Sequence, residues 1–248
     1  MIDIELKKEL DNQQEKIIND TNKYLCVSAC PGAGKTYTLI KKIENELESL
    51  KEYQGIIACS FTKESSKEIK NRLGSKSKKM ENCFIGTIDS LVLTLIIKPF
   101  LNRYLFERKI IKHRISIDTI VIDSNPKLND YTRLYDLNDK IRLEANKYIN
   151  SWFEELKKGI YKISFATYIL AEKIVNMKLF YEYFSLRFPT IYIDEAQDLN
   201  YFQHKLLTAL KEKTNINIVL FGDPNQSIYQ FRGARPELFN NLVNSGYK

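Results

Sequence analysis

The sequence predicts an α/β fold built on a parallel sheet flanked by helices, and three observations carry that expectation. Short, almost wholly apolar runs alternate with amphipathic stretches of helical period, the pattern of strands covered on both faces. A glycine-bearing loop, Ala29–Thr36, follows the first of these runs and opens the first amphipathic stretch. An acidic pair, Asp194-Glu195, follows a later run. Chemistry-bearing residues thus gather past strand ends, the edge at which open α/β sheets bind ligands.

In chain order, Asp11 is placed to cap a helix over 12–19. Tyr24–Ala29 reads as the first strand, ending in a Gly/Pro loop. A helix is expected from about Lys35 to Leu50, because Leu39, Ile40, Ile43, Leu47 and Leu50 share one face. Gly55–Ser60 and Cys83–Thr87 read as strands around a helix at Lys63–Leu73. Asp89 is the favoured cap of a further helix reaching about Lys98. Ile191–Ile193 and Ile216–Phe221 complete the strands, with a helix at Tyr201–Lys211 between them. Residues 99–161 break the alternation: they are rich in Lys, Arg, Tyr, Asn and Asp, with a strand-like segment at Ile115–Ile122 and a helix around Asp139–Lys157. They read as a small, mainly helical subdomain inserted between 1–98 and 162–248.

Composition narrows the partners only a little. With 44% hydrophobic and 28% charged residues, the 248-residue chain is ordinary for a globular protein of one large domain. Lys+Arg exceed Asp+Glu by 38 to 31, a net charge of +7, which suits a polyanion partner or simply a solvated surface. Cys26, Cys30, Cys59 and Cys83 form no CxxC pair and have no histidine at ligand spacing, which argues against structural zinc and fits reduced thiols in the cytoplasm. Residues 1–20 are too polar for a signal peptide, and the apolar run Leu91–Ile97 is too short to span a bilayer, so no membrane role is expected.

The loop Ala29-Cys30-Pro31-Gly32-Ala33-Gly34-Lys35-Thr36 departs from the strict phosphate-loop string only in its first residue, where Ala29 replaces glycine. Gly32 and Gly34 let the backbone curl its N–H groups toward phosphates, and the following helix adds its positive end. Lys35 is placed for the β- and γ-phosphates, and the Thr36 hydroxyl for Mg²⁺. Asp194 is the second candidate for the metal shell, and Glu195 the candidate to orient or deprotonate an attacking water. Gln226, past another strand end, has an amide suited to sensing a γ-phosphate. Tyr229, Phe231 and Arg232 are planar groups on which single-stranded bases can stack, or else core residues. Phe61, Thr62 and Thr87 at two more strand ends have the same double reading: base or phosphate contact on one side, core and helix cap on the other.

Taken together these residues resemble superfamily 1A helicases of the UvrD/Rep type. Asp11–Gln14 is similar to the family's Q motif, which puts Gln14 at the adenine-recognising position. Ala29–Thr36 is similar to motif I, Ser60–Leu73 to motif Ia, Gly86–Ser90 to motif Ib, Ile193–Asp198 to motif II and Gly222–Ala234 to motif III. The resemblance implies a RecA-like P-loop NTPase domain that uses ATP and Mg²⁺. It also implies translocation 3′ to 5′ along single-stranded DNA, or a duplex with a single-stranded tail. Lys63 stands where relatives often have Asn, Asp89 where many have His, and Ala196 where an aromatic is commoner. No counterpart of motifs IV to VI follows Ala234, so the resemblance implies completion by a second RecA-like domain or a downstream subunit, and very slow hydrolysis by these residues alone. Two other readings stand beside it. One is a non-catalytic nucleic-acid-binding or regulatory module that keeps the fold; the other is a small-molecule NTPase, disfavoured by Gln226–Ala234.

Overall fold

The structure, a computed structural model, describes residues 4–74, 78–122, 139–226, 234, 236–242 and 246–248. The strands are β1 (Tyr24–Ser28), β2 (Ile57–Ser60), β3 (Phe84–Thr87), β4 (Thr119–Ile122), β5 (Ile160–Ile163), β6 (Thr190–Ile193) and β7 (Asn217–Gly222). Five of them form one parallel sheet in the order β1-β7-β6-β2-β3. The helices are α1 (Ile4–Asn19), α2 (Lys35–Ser49), α3 (Lys63–Leu73), α4 (Ile88–Leu91), α5 (Lys98–Glu107), α6 (Asp139–Lys157), α7 (Phe165–Val175), α8 (Lys178–Arg187), α9 (Tyr201–Lys213) and α10 (Pro236–Asn240). The expected α/β architecture, a parallel sheet flanked by helices, is what forms.

The sheet is parallel because its strands are apolar toward both faces. Alternate side chains divide between two buried clusters. Ala58, Tyr192, Val219 and Phe221 pack with Leu39, Ile43 and Leu47 of α2 and with Ile69 and Leu73 of α3. Ile57, Cys59, Ile191, Ile193, Ile218 and Leu220 pack on the other face with α5, α7 and α9, through residues such as Leu101, Leu170 and Leu210. Each fully buried aliphatic side chain contributes about 1.5–3 kcal/mol, so both layers are held chiefly by apolar burial.

Several expectations are corrected. Helix α1 begins at Ile4, so Asp11 lies within it and caps nothing. Thr87, not Asp89, is the cap of α4: its Oγ1 accepts from the Ser90 N–H, because the helix starts at Ile88, two residues earlier than Asp89 would require. That helix does not end near Lys98. A π-helical turn, Val92–Ile97, carries it into α5, with Pro99 in the first turn, where a missing N–H costs little. The strand expected over Ile115–Ile122 is shorter and pairs in parallel with β5 as a separate two-stranded sheet. Helices α7 and α8 were not expected. Helix α7 is buried over most of its surface and lacks the polar stripe that reveals the period. Helix α8 buries Phe180 and Phe184 but leaves Leu179, Tyr183 and Leu186 exposed, so its apolar residues do not mark one face.

Candidate nucleotide and nucleic-acid edge

All five strands of the main sheet run the same way, so the residues following each C-terminus lie along a single edge. In spatial order these are the Ala29–Thr36 loop after β1, Asp223–Gln226 after β7, Asp194–Asp198 after β6, Phe61–Lys63 after β2 and Thr87 at the end of β3. A chain order of I, Ia, Ib, II and III becomes a spatial order of I, III, II, Ia and Ib.

The first loop has the shape of an anion cradle. Gly32 and Gly34 take φ of 77° and 75°, in the left-handed region that favours glycine. A Cβ added at Gly32 would meet nothing within 4 Å, whereas one at Gly34 would lie 2.5 Å from Gln14 Nε2. Gln14 packs there because its amide donates to the Ala33 carbonyl at 2.8 Å, which ties α1 to the loop. Gly34 precedes α2 and makes no side-chain cap bond, so the N–H groups of the first turn and the positive helix end are open to an anion in the loop. Ala29 N–H donates to the Gly222 carbonyl at 3.0 Å, fixing the loop to the end of β7. Cys30, Pro31 and Gly32 are exposed, while Ala33, Gly34, Lys35 and Thr36 are half-buried.

Lys35 Nζ donates to Glu195 Oε2 at 2.7 Å, with the lysine side chain 14% exposed and the glutamate 34%. Glu195 therefore keeps a water-facing side while its charge is balanced. Its φ of 54° is left-handed, a rare setting for a non-glycine residue and one that clusters at functional sites. Asp194 is buried, its backbone N–H donating to the Cys59 carbonyl and its Oδ1 accepting from the Glu195 N–H at 3.0 Å. Burial, reinforced by the Glu195 charge, pushes the Asp194 carboxyl up to about 6, against a smaller opposing pull from Lys35. A cation beside this carboxylate would relieve that cost.

Two residues given no role from sequence complete the network. Gln197 is buried; its Nε2 donates to Glu195 Oε2 at 2.8 Å and its Oε1 accepts from the Asp223 N–H at 2.9 Å. Asp223 in turn accepts from the Asn225 N–H at 3.0 Å and from Gln226 Nε2 at 2.6 Å. Gln226, exposed at the edge, is thereby joined to Glu195 and Lys35 through the side chain and backbone N–H of Asp223 and the amide of Gln197. The sequence signal for Gln197 was its place two residues after Glu195, which cannot show that the chain turns back there.

At the other end of the edge Thr62 and Thr87 are built alike. Thr62 Oγ1 accepts from the Ser65 N–H at 3.1 Å and Thr87 Oγ1 from the Ser90 N–H at 3.2 Å, each hydroxyl also lying 2.9 Å from the serine hydroxyl. Both are helix caps, on adjacent strands in which Ser60 pairs with Thr87. Lys63 is exposed and Phe61 half-buried beside them. Asp89 instead accepts a short bond from the Tyr168 hydroxyl, which also accepts from Gln203 Nε2 at 2.9 Å; burial raises the Asp89 pKa and the tyrosine bond opposes this. Tyr229, Phe231 and Arg232 lie outside the described residues. Asn200 and Ala234, however, form an antiparallel bridge that brings the end of that segment back to motif II.

A parallel sheet with a glycine loop, an acidic pair and a bonded glutamine turn on one edge defines a P-loop NTPase of the UvrD/Rep helicase class. The chain belongs to the AAA domain family, whose family model matches residues 13–232. It is 36% identical over 233 residues to Gabija protein GajB of Bacillus cereus (strain VD045), covering 93% of this chain and 42% of that protein. It is 27% identical to the ATP-dependent DNA helicase Rep of Buchnera aphidicola subsp. Schizaphis graminum (strain Sg), covering 92% of this chain and 39% of that one. With DNA helicase II of Escherichia coli (strain K12) it shares 25% identity over 95% of this chain and 36% of the helicase. The chain thus spans under half the length of these curated relatives. No helix among the described residues is long and apolar enough to cross a membrane.

Proposed function

We propose that this chain is the ATP-binding motor region of a UvrD-like DNA helicase, in which ATP hydrolysis drives 3′ to 5′ movement on single-stranded DNA once a second RecA-like domain closes on the edge. The observation that carries the reading is the Lys35–Glu195–Gln197–Asp223–Gln226 network. It joins a phosphate-binding lysine, a candidate base and a candidate phosphate sensor in one structure.

Each residue's part follows from its surroundings. The Gly32–Thr36 backbone and the α2 terminus hold the phosphates, with Lys35 turning from Glu195 to the β- and γ-oxygens and Gln14 buttressing the loop toward adenine. Thr36 and Asp194 would hold Mg²⁺. A magnesium ion held by one or two protein oxygens is completed by phosphate and water. The metal's contribution when bound is to neutralise charge on the transferring phosphoryl group. Glu195, released from Lys35 and partly exposed, orients the attacking water and takes its proton. Gln226 senses the γ-phosphate. Phe61, Thr62, Lys63 and Thr87, together with Tyr229, Phe231 and Arg232, form the path for the strand.

Residues 99–161 serve as an inserted subdomain, and arginines from the completing domain supply about 10³–10⁵-fold in rate, as such residues do in related NTPases. The test is ATP turnover with and without single-stranded DNA, by this chain alone and by the chain joined to or mixed with the polypeptide encoded after it. DNA-stimulated turnover by the completed assembly, lost in Glu195→Gln while ATP binding persists, is the expected result. Ordinary helicase rates from the 248 residues alone would sink the half-motor reading. Hydrolysis surviving in Glu195→Gln would sink the base assignment.

A further inference from the structure

We propose that Gln197 is the positioning residue of this site. It holds the base Glu195 when Lys35 leaves it for phosphate, and links the base to the Asp223–Gln226 turn. The inference rests on the reading of Glu195 given above.

Glu195 Oε2 has two donors, Lys35 Nζ at 2.7 Å and Gln197 Nε2 at 2.8 Å. A triphosphate competes for the lysine but not for the glutamine, which is only 1% exposed. Once the lysine turns away, the Gln197 amide still holds the carboxylate, and it does so at a backbone position already in the left-handed region. Geometry leaves that amide one orientation: Nε2 faces a carboxylate, which only accepts, and Oε1 faces the Asp223 N–H, which only donates, at 2.9 Å.

Few side chains can make both bonds from this place. Glutamate lacks the donor and would set a like charge against Glu195; methionine fills similar volume and makes neither bond. The surroundings are shaped to the amide as well. A Cβ at Gly222 would fall 2.7 Å from Gln197 Oε1 and 2.9 Å from the Phe239 ring, so glycine at the end of β7 keeps the slot open. Beyond the slot, Asp223 Oδ2 accepts from Gln226 Nε2 at 2.6 Å. A shift of Gln226 toward or away from a phosphate therefore reaches the base through Asp223 and Gln197, without passing through the nucleotide.

The experiment compares wild type, Gln197→Met and Gly222→Ala in the DNA-stimulated assembly, with thermal melting and binding of a fluorescent ATP analogue measured alongside. Gln197→Met should bind the analogue within about 3-fold of wild type while kcat falls by about 10–100-fold, since loss of a group acting only on the placed base appears in kcat and not in binding. Gly222→Ala should move kcat the same way. A space-filling role predicts instead that methionine is nearly silent, and a kcat within about 2-fold of wild type overturns the proposal. Hydrogen exchange at the Asp223 amide gives a readout independent of turnover and of any variant's folding. Protection is expected in the wild-type chain, and exchange as fast as in an open loop overturns the proposal. If Glu195→Gln still hydrolyses ATP, the base assignment itself fails. If Glu195→Gln is inactive and Gln197→Met is not, only the present inference fails.

Discussion

The two halves of the sheet edge use their polar side chains in opposite ways. Past β1, β7 and β6 the side chains bond across strands, to one another and to the Asp223 backbone N–H, so that Lys35, Glu195, Gln197, Asp223 and Gln226 are joined. Past β2 and β3 the corresponding residues bond locally, Thr62 to Ser65 and Thr87 to Ser90, and each finishes its own helix. The difference suits the two ligands proposed. A phosphoryl transfer needs groups fixed relative to one another, whereas a sliding nucleic-acid strand needs a row of separate, helix-terminal contacts. The halves meet where the Asp194 N–H donates to the Cys59 carbonyl at 2.8 Å, one residue before β2 ends.

The sharpest way to break this comparison is to remove the lysine that anchors the nucleotide half. Lys35→Ala should lower ATP turnover on the order of 10³-fold or more, yet leave single-stranded DNA affinity within about 3-fold, because the lysine bonds to Glu195 past β6 and, among the described residues, to none past β2 or β3. Turnover assays and fluorescence anisotropy on the same preparation check both halves at once. Equal losses in both would show that the halves are not separately built.

A smaller effect concerns the burial of Asp194. Its folded pKa is raised from 3.8 to about 6, so the folded state holds a proton that the unfolded chain has released. Stability should therefore decline as pH rises through that window, and the cost should persist above it. Asp194→Asn keeps the acceptor for the Glu195 N–H and removes the charge. It should raise stability above pH 6 by on the order of 2–3 kcal/mol while abolishing metal-dependent turnover. Denaturant titrations at pH 4.5 and at pH 7.5 check the sign: the gain should be present at the higher pH and mostly absent at the lower.

The smallest expected effect sharpens the other half. Thr62→Ala and Thr87→Ala should each cost about 1 kcal/mol of stability as lost caps, and Thr→Ser should restore it. If these threonines also touch the strand, the alanine variants bind single-stranded DNA more weakly and the serine variants do not. Stability loss with unchanged DNA affinity would confine both residues to capping.

The strands of the main sheet and the loops at their ends were legible in the sequence because the signals are local. A buried parallel strand is a continuous apolar run, and a phosphate loop is marked by glycines that must reach positive φ. Helix α2 was equally plain, since Leu39, Ile43 and Leu47 recur on one face. Other features depend on contacts distant in sequence. Gln197 matters because β6 and β7 are neighbours, and Gln14 matters because α1 lies against the Ala33 carbonyl. The apolar surface of α7 and the exposed apolar residues of α8 blur their periods, and the pairing of β4 with β5 joins segments 41 residues apart, Thr119 with Ile160. Of the two threonine caps, Thr62 was legible as a cap from its place before a helix, whereas the sequence favours Asp89 over Thr87, because it does not show where the turn of that helix begins.

The central claim is that the two halves of the edge, though separately built, are coupled when their ligands bind, and reciprocal coupling tests it most directly. Single-stranded DNA affinity should be measured for the protein with its completing domain, with and without a saturating non-hydrolysable ATP analogue, and analogue affinity with and without DNA. The account predicts that each ligand changes the other's affinity by the same factor, about 5-fold or more, and that the factor falls toward one in Gln197→Met. Affinities that are independent within error in the wild-type protein would contradict it.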